Sequence, residues 1–100
     1  MKPVVVHSLA KEDLDEAVAF YEHQQAGLGL DLLRAVQRAI GRIQQSPQLG
    51  ATYKATEFRH YVVSRFPYII FYTELAEVIW IVAVAHGRRR PGYWRRRRVE

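Results

Sequence analysis

The chain of 100 residues has no cysteine, so disulfides, thiolate metal sites and cysteine nucleophiles are all excluded, and a reducing compartment is tolerated. It has no apolar run near the roughly 20 residues of a membrane span; the longest stretch, VIWIVAVA (Val78 to Ala85), has the length of a strand. The first residues, MKPVVVHSLAKEDLDE, turn acidic after a few apolar positions and lack the h-region of a signal peptide. Linkers and internal repeats are also missing. These absences predict one small domain over residues 1–100, cytoplasmic, with no membrane contact, metal or cofactor.

Nearly half of the residues are apolar, 49%, which is enough for one hydrophobic core. The formal net charge of +5 is unevenly placed. Residues 86–100 hold seven arginines and one glutamate, whereas residues 1–85 are close to neutral. A basic end on a neutral body points to an acidic or polyanionic partner. Within it, the stretch HGRRRPGYWRRRR (His86 to Arg98) carries Tyr93 and Trp94 after the turn formers Pro91 and Gly92. Aromatics are depleted in disordered tails, so the segment is expected to fold back as far as Trp94. Residues 95–100 are expected to form a mobile basic tail.

Local patterns give the elements in order. KPVVVH (Lys2 to His7) is rich in β-branched residues and reads as a strand. Ser8 is then the expected N-cap of a helix with one apolar face made by Ala10, Leu14, Ala17, Val18 and Tyr21. Gly27 and Gly29 break that helix. A second helix follows, with Leu33, Val36, Ile40 and Ile43 in one stripe widened by Leu32 and Ala39, and Pro47 ends it. So short a link makes the pair an antiparallel hairpin. Arg34, Arg38 and Arg42 form a basic stripe on the second helix, expected to be offset by acids of the first.

Three strand signals close the chain: EFRHYVV (Glu57–Val63), PYIIFYT (Pro67–Thr73) and VIWIVAVA (Val78 to Ala85). The expected fold is α+β, in the order β-α-α-β-β-β, with the helical hairpin packed on an antiparallel sheet and a basic C-terminal segment. In the first of these strands, alternation sorts Glu57, Arg59 and Tyr61 from Phe58, His60 and Val62. If the apolar face meets the helices, Glu57, Arg59 and Tyr61 face solvent and His60 lies against the core, where a histidine is more often structural than catalytic.

The stretches GLGLDLLRAVQRAIGRIQQSP, FRHYVVSRFPYIIFY and IWIVAVAHGRRRPGYW together resemble the RelE/ParE superfamily of toxins from type II toxin–antitoxin systems, from about Ala17 to Arg95. The resemblance implies a small toxin neutralised by a cognate antitoxin, whose short acidic segment folds onto the toxin as it binds. It also implies one of two activities, which a shared fold does not separate. RelE-like members cut mRNA on the ribosome without metal; ParE-like members are not nucleases and poison DNA gyrase.

Metal-free cleavage needs a base for the 2′-hydroxyl, a cation for the phosphate and an acid for the leaving oxygen. Under the RelE-like reading, Glu57, Arg59, Arg65, His86 and Tyr93 are the candidates. His86 is suited to proton exchange near pH 7 and Arg65 to a phosphate clamp. The lysine-rich stretch of the best-known RNA-cutting members is missing here, since Lys54 stands alone. The ParE-like reading needs no catalytic set and is preferred. Under either reading, Arg88, Arg89, Arg90, Tyr93, Trp94 and Arg95 are expected to bind the target: gyrase or its DNA, or in the alternative the ribosome and mRNA.

Overall fold

The computed structural model describes residues 1–99; Glu100, the end of the expected tail, lies outside them. The elements are β1 (Val4–Val6), α1 (Ser8–Gln24), α2 (Leu28–Gln45), β2 (Ala51–Thr52), β3 (Arg59–Val62), β4 (Tyr68–Glu74) and β5 (Ile79–His86). One five-stranded sheet has the order β1-β5-β4-β3-β2. The α+β class and the order of the expected elements hold. Two features differ. The sheet is mixed, because β1 runs parallel to β5 while the other pairs are antiparallel. The two-residue β2, too short to show a period, adds an edge strand beside Arg59 and His60.

The start of α1 is also shifted by one residue from the expectation. His7, not Ser8, is the N-cap: its Nδ1 accepts the Leu9 N–H at 3.0 Å. Its own N–H donates to the Ile81 carbonyl, so β5 fixes the residue where the helix begins. The break between the helices depends on two glycines for different reasons. Gly27 sits at φ +88°, a left-handed conformation that few side chains tolerate. A Cβ on Gly29 would fall 2.5 Å from the Val18 carbonyl oxygen, so glycine is what lets α2 start against α1. The Glu22 carboxylate then accepts the N–H groups of Gly27 and Gly29 at 2.8 and 3.0 Å, at the N-terminal end of α2.

Both faces of the sheet are covered. On one, Ala10 and Ala17 of α1 and Leu32, Val36, Ala39 and Ile43 of α2 pack on Ile70, Tyr72, Ile79, Ile81 and Val84. On the other, Phe71, Trp80, Val82, Ala83 and Ala85 are closed over by Trp94, with Tyr53, Phe58 and Tyr93 around them. A register shift at Phe71/Tyr72, paired with Ala83 and Ile81, puts Val82 and Ala83 on this same face. The second cover reverses the expected sorting of β3. Tyr61 packs toward the helices, and His60 lies on the opposite face, its ring 6.0 Å from Tyr53 and 6.3 Å from Phe71.

Candidate target-binding rim

The basic segment is built onto the end of β5. His86 pairs with Tyr68 in the ladder, and the Gly87 N–H donates to the Pro67 carbonyl at 2.7 Å. The His86 Nδ1 accepts the Arg88 N–H at 3.0 Å and its carbonyl accepts the Arg89 N–H, which turns the chain off the strand. Gly92, at φ +73°, allows the next turn. Those turns drop Trp94 onto the sheet, where it is fully buried. Its ring centroid lies 4.7 Å from Phe71, 4.9 Å from Phe58 and 5.5 Å from Tyr53.

A buried polar clasp closes the segment. The Arg97 guanidinium donates to both carboxylate oxygens of Asp13, at 2.8 and 3.2 Å, and to the Val82 carbonyl at 2.8 Å. Asp13 also accepts the Tyr93 hydroxyl at 3.2 Å and the Val84 N–H at 3.3 Å. The paired side chains are 11% and 9% exposed, so this is an interior ion pair and not a surface one. Burial opposes the charge of Arg97, but the hydrogen bond and charge of Asp13 outweigh it and raise its pKa. Burial, with the Asp13 charge and the bond donated to it, pushes the Tyr93 phenol up to about 12 against the pull of Arg97 and Arg89. Tyr93 is therefore a neutral donor at ordinary pH. Arg89 lies over its ring at 4.0 Å and Arg97 at 5.1 Å.

This arrangement sorts the expected binding residues. Arg88, Arg89, Arg90 and Arg95 are exposed, together with Arg96 and Arg98, and make a basic rim. Arg90, Pro91, Tyr93, Arg95 and Arg96 surround an open depression of about 460 Å³. Trp94 is not on that surface; sealed from solvent, it holds the rim in place. Arg97, expected in the mobile tail, is instead the anchor, because a guanidinium this buried stays only with its counter-charge.

The five catalytic candidates do not come together. The Thr73 hydroxyl donates to the Glu57 carbonyl, placing Glu57 at one end of β4, whereas His86 pairs with Tyr68 at the other. At about 3.3 Å per residue, the five steps between Tyr68 and Thr73 separate Glu57 from His86 by roughly 16 Å. Proton transfer needs hydrogen-bond reach, about 3 Å. Arg59, opposite Tyr72, lies with Glu57 and donates to the Gly50 carbonyl at 2.7 Å, a structural tie to the loop after α2. Arg65 lies in the turn near His86 at φ +72°, its guanidinium 5.9 Å from the Phe66 ring centroid. The Tyr93 hydroxyl is committed to Asp13. Among the described residues, no group of three or more histidine, aspartate or glutamate side chains is placed to hold a metal.

Against this geometry, the family model for the ParE toxin of type II toxin-antitoxin system, parDE, matches residues 4–91. The chain belongs to the ParE toxin family, within the RelE/ParE superfamily. Among solved structures, a chain of the chromosomal ParDE TA system from P. aeruginosa superposes with a TM-score of 0.67 at 19% identity, covering 86% of this chain and 96% of that chain. At that identity the likeness shows the fold. No curated protein matches the sequence. The ParE family match ends before Tyr93, Trp94 and Arg97, so those members of the clasp lie beyond it while Asp13, Val82 and Val84 lie within it.

Sequence reasoning missed Asp13 as the centre of the clasp. It is one of ten acidic residues and sits 84 positions from Arg97, with no local signal to mark it. The i, i+4 spacing of Tyr93 and Arg97 was the one available hint, since it suits two side chains converging on a shared partner.

Proposed function

We propose that this ParE-family toxin acts in the cytoplasm by engaging DNA gyrase, and that an antitoxin with an acidic segment neutralises it. The observation that carries the target is the separation of the candidate catalytic residues. Glu57 and Arg59 stand at one end of the sheet, and Arg65 and His86 at the other, so these four do not supply base, cation and acid to one phosphate. A binding toxin needs no such set. It needs a fixed surface, and Trp94 with the Asp13–Arg97 pair supplies one for the exposed arginines. Preorganised cations lose less side-chain freedom on meeting a polyanion, and such contacts weaken steeply with salt.

Titrating the purified chain into a gyrase supercoiling reaction tests the reading. Inhibition is expected, weakened at least tenfold by the double substitution Arg88→Glu and Arg89→Glu and by raised salt. Inhibition indifferent to both would refute the rim as the working surface, and no inhibition would refute gyrase as the target.

A further inference from the structure

Of the twelve phenylalanine, tyrosine and tryptophan residues, Phe20 alone is exposed, at 57%. Its ring is the outer end of an aromatic row. Phe20 meets Tyr21 edge-on at 5.3 Å, Tyr21 stands 6.1 Å from Tyr68, and Tyr68 stands 5.3 Å from His86. The row runs from α1 across the first residue of β4 to the last residue of β5, where the basic segment begins.

Phe20 also borders a groove of about 210 Å³ between α1 and these ends of β4 and β5. Tyr68 and Val84 give the groove apolar lining, and Glu16 and Arg89 give it one charge of each sign. Glu16 and Phe20 are four residues apart on α1, so carboxylate and phenyl share one wall. Arg89 lies over the Tyr93 ring at 4.0 Å, which makes the groove continuous with the basic rim. Asp13, also in the lining, is committed to Arg97. Glu16 is exposed, and among the described residues it forms no ion pair. The acids of α1 were expected to offset Arg34, Arg38 and Arg42; among the described residues none pairs with them. A lone exposed apolar residue is ordinary, but Phe20 combines an aromatic anchor, a groove and an adjoining arginine, the composition of a protein–protein contact centre.

We propose that this groove seats an apolar side chain of the gyrase protein, beside a basic residue that meets Glu16, while the rim arginines meet the DNA. The name of the partner rests on the gyrase reading above; the chemistry of the occupant rests on the groove. DNA is the poorer occupant. The carboxylates of Asp13 and Glu16 repel phosphates from this wall, and a duplex offers no unstacked base to the phenyl ring. Burying Phe20 removes apolar surface from water, a gain that survives salt, whereas arginine–phosphate contacts fade with it. Ionic strength therefore separates the two halves of the surface.

The test measures binding of the full chain to purified gyrase without DNA, by calorimetry at 50 and 300 mM salt. Wild type is expected to bind, and Phe20→Ala to weaken binding at least tenfold at both salts. Phe20→Leu, which keeps most of the apolar area, should stay within about threefold of wild type. Glu16→Lys should weaken binding at least threefold. Phe20 and Glu16 are exposed, and matched melting temperatures show that the variants fold. Equal binding by wild type and Phe20→Ala would overturn the site. So would binding of wild type to gyrase only when DNA is present. A 20-base-pair duplex bound by the chain alone and weakened by Phe20→Ala would make DNA the occupant, and a dimer in sedimentation dispersed by Phe20→Ala would make it a second copy; either overturns the proposal. No binding to gyrase with or without DNA would overturn the target reading and this site with it, an outcome distinct from the failure of the site alone.

Discussion

Asp13→Asn is the perturbation that most directly loads the clasp. Asparagine keeps the shape of the side chain and one acceptor oxygen, but it removes the charge and turns an NH2 toward donors. The native carboxylate receives two bonds from Arg97, one from Tyr93 and one from Val84. Breaking a buried ion pair by removing one partner costs about 3–5 kcal/mol, because the remaining charge is stranded. Both side chains keep about a tenth of their exposure, and the Val82 carbonyl still accepts from Arg97, so about 2–3 kcal/mol is the expected loss. Against a total of about 5–15 kcal/mol for a domain, that is a large fraction. At about 4–8 °C per kcal/mol for a chain near this size, the melting temperature should fall by roughly 10–20 °C. Thermal and urea unfolding measure this, and Arg97→Met in both backgrounds isolates the pair. Removing the guanidinium should cost much less once Asp13 is already changed, with a coupling of at least about 1.5 kcal/mol. A loss under about 0.5 kcal/mol, or strict additivity, would refute the clasp as an energetic anchor.

Tyr72→Phe should cost about 1–3 kcal/mol in urea unfolding, since the buried hydroxyl accepts the Gly50 N–H and donates to the Pro47 carbonyl, both at 2.8 Å. Gly29→Ala should lower stability by at least about 2 kcal/mol, with its effect on the helical hairpin visible by hydrogen exchange, because the new methyl meets the Val18 backbone. The phenols of Tyr93, Tyr68 and Tyr72 all titrate above their ordinary value of 10.0, with burial the leading cause. The folded chain thus holds these protons more tightly than the unfolded one. Their contribution is complete below pH 10 and is lost as pH rises from there toward 12. Melting temperatures between pH 8 and 11.5 should fall, less steeply for Tyr93→Phe; a flat profile would contradict the assignment.

Much of this architecture was readable in the sequence because single-element patterns are local. The apolar faces of both helices, the glycine break and the three aromatic-rich strands each declare themselves within one element. What failed was pairwise or environmental. The partner and direction of β1 are set by β5, some 75 positions later in the ladder, and nothing in KPVVVH encodes that. Phe58, just before β3, and Tyr61 within it fall on opposite faces yet both are covered, so alternation could not say which face met the helices. The segment after His86 was expected to dock through its aromatics, and it does. The roles within it were not readable: Trp94 is interior instead of on the contact surface, and Arg97 is distinguished from its arginine neighbours only by Asp13.

We propose that this ParE-family chain works by binding gyrase and not by cutting RNA. One side-by-side measurement tests it most directly: equal doses of purified protein in gyrase supercoiling of plasmid DNA and in mRNA cleavage on translating ribosomes. Blocked supercoiling with intact mRNA is the predicted result. Ribosome-dependent cuts with gyrase untouched would contradict it, and Glu57, held at the far end of β4 from His86, could not be the partner of that histidine in the reaction.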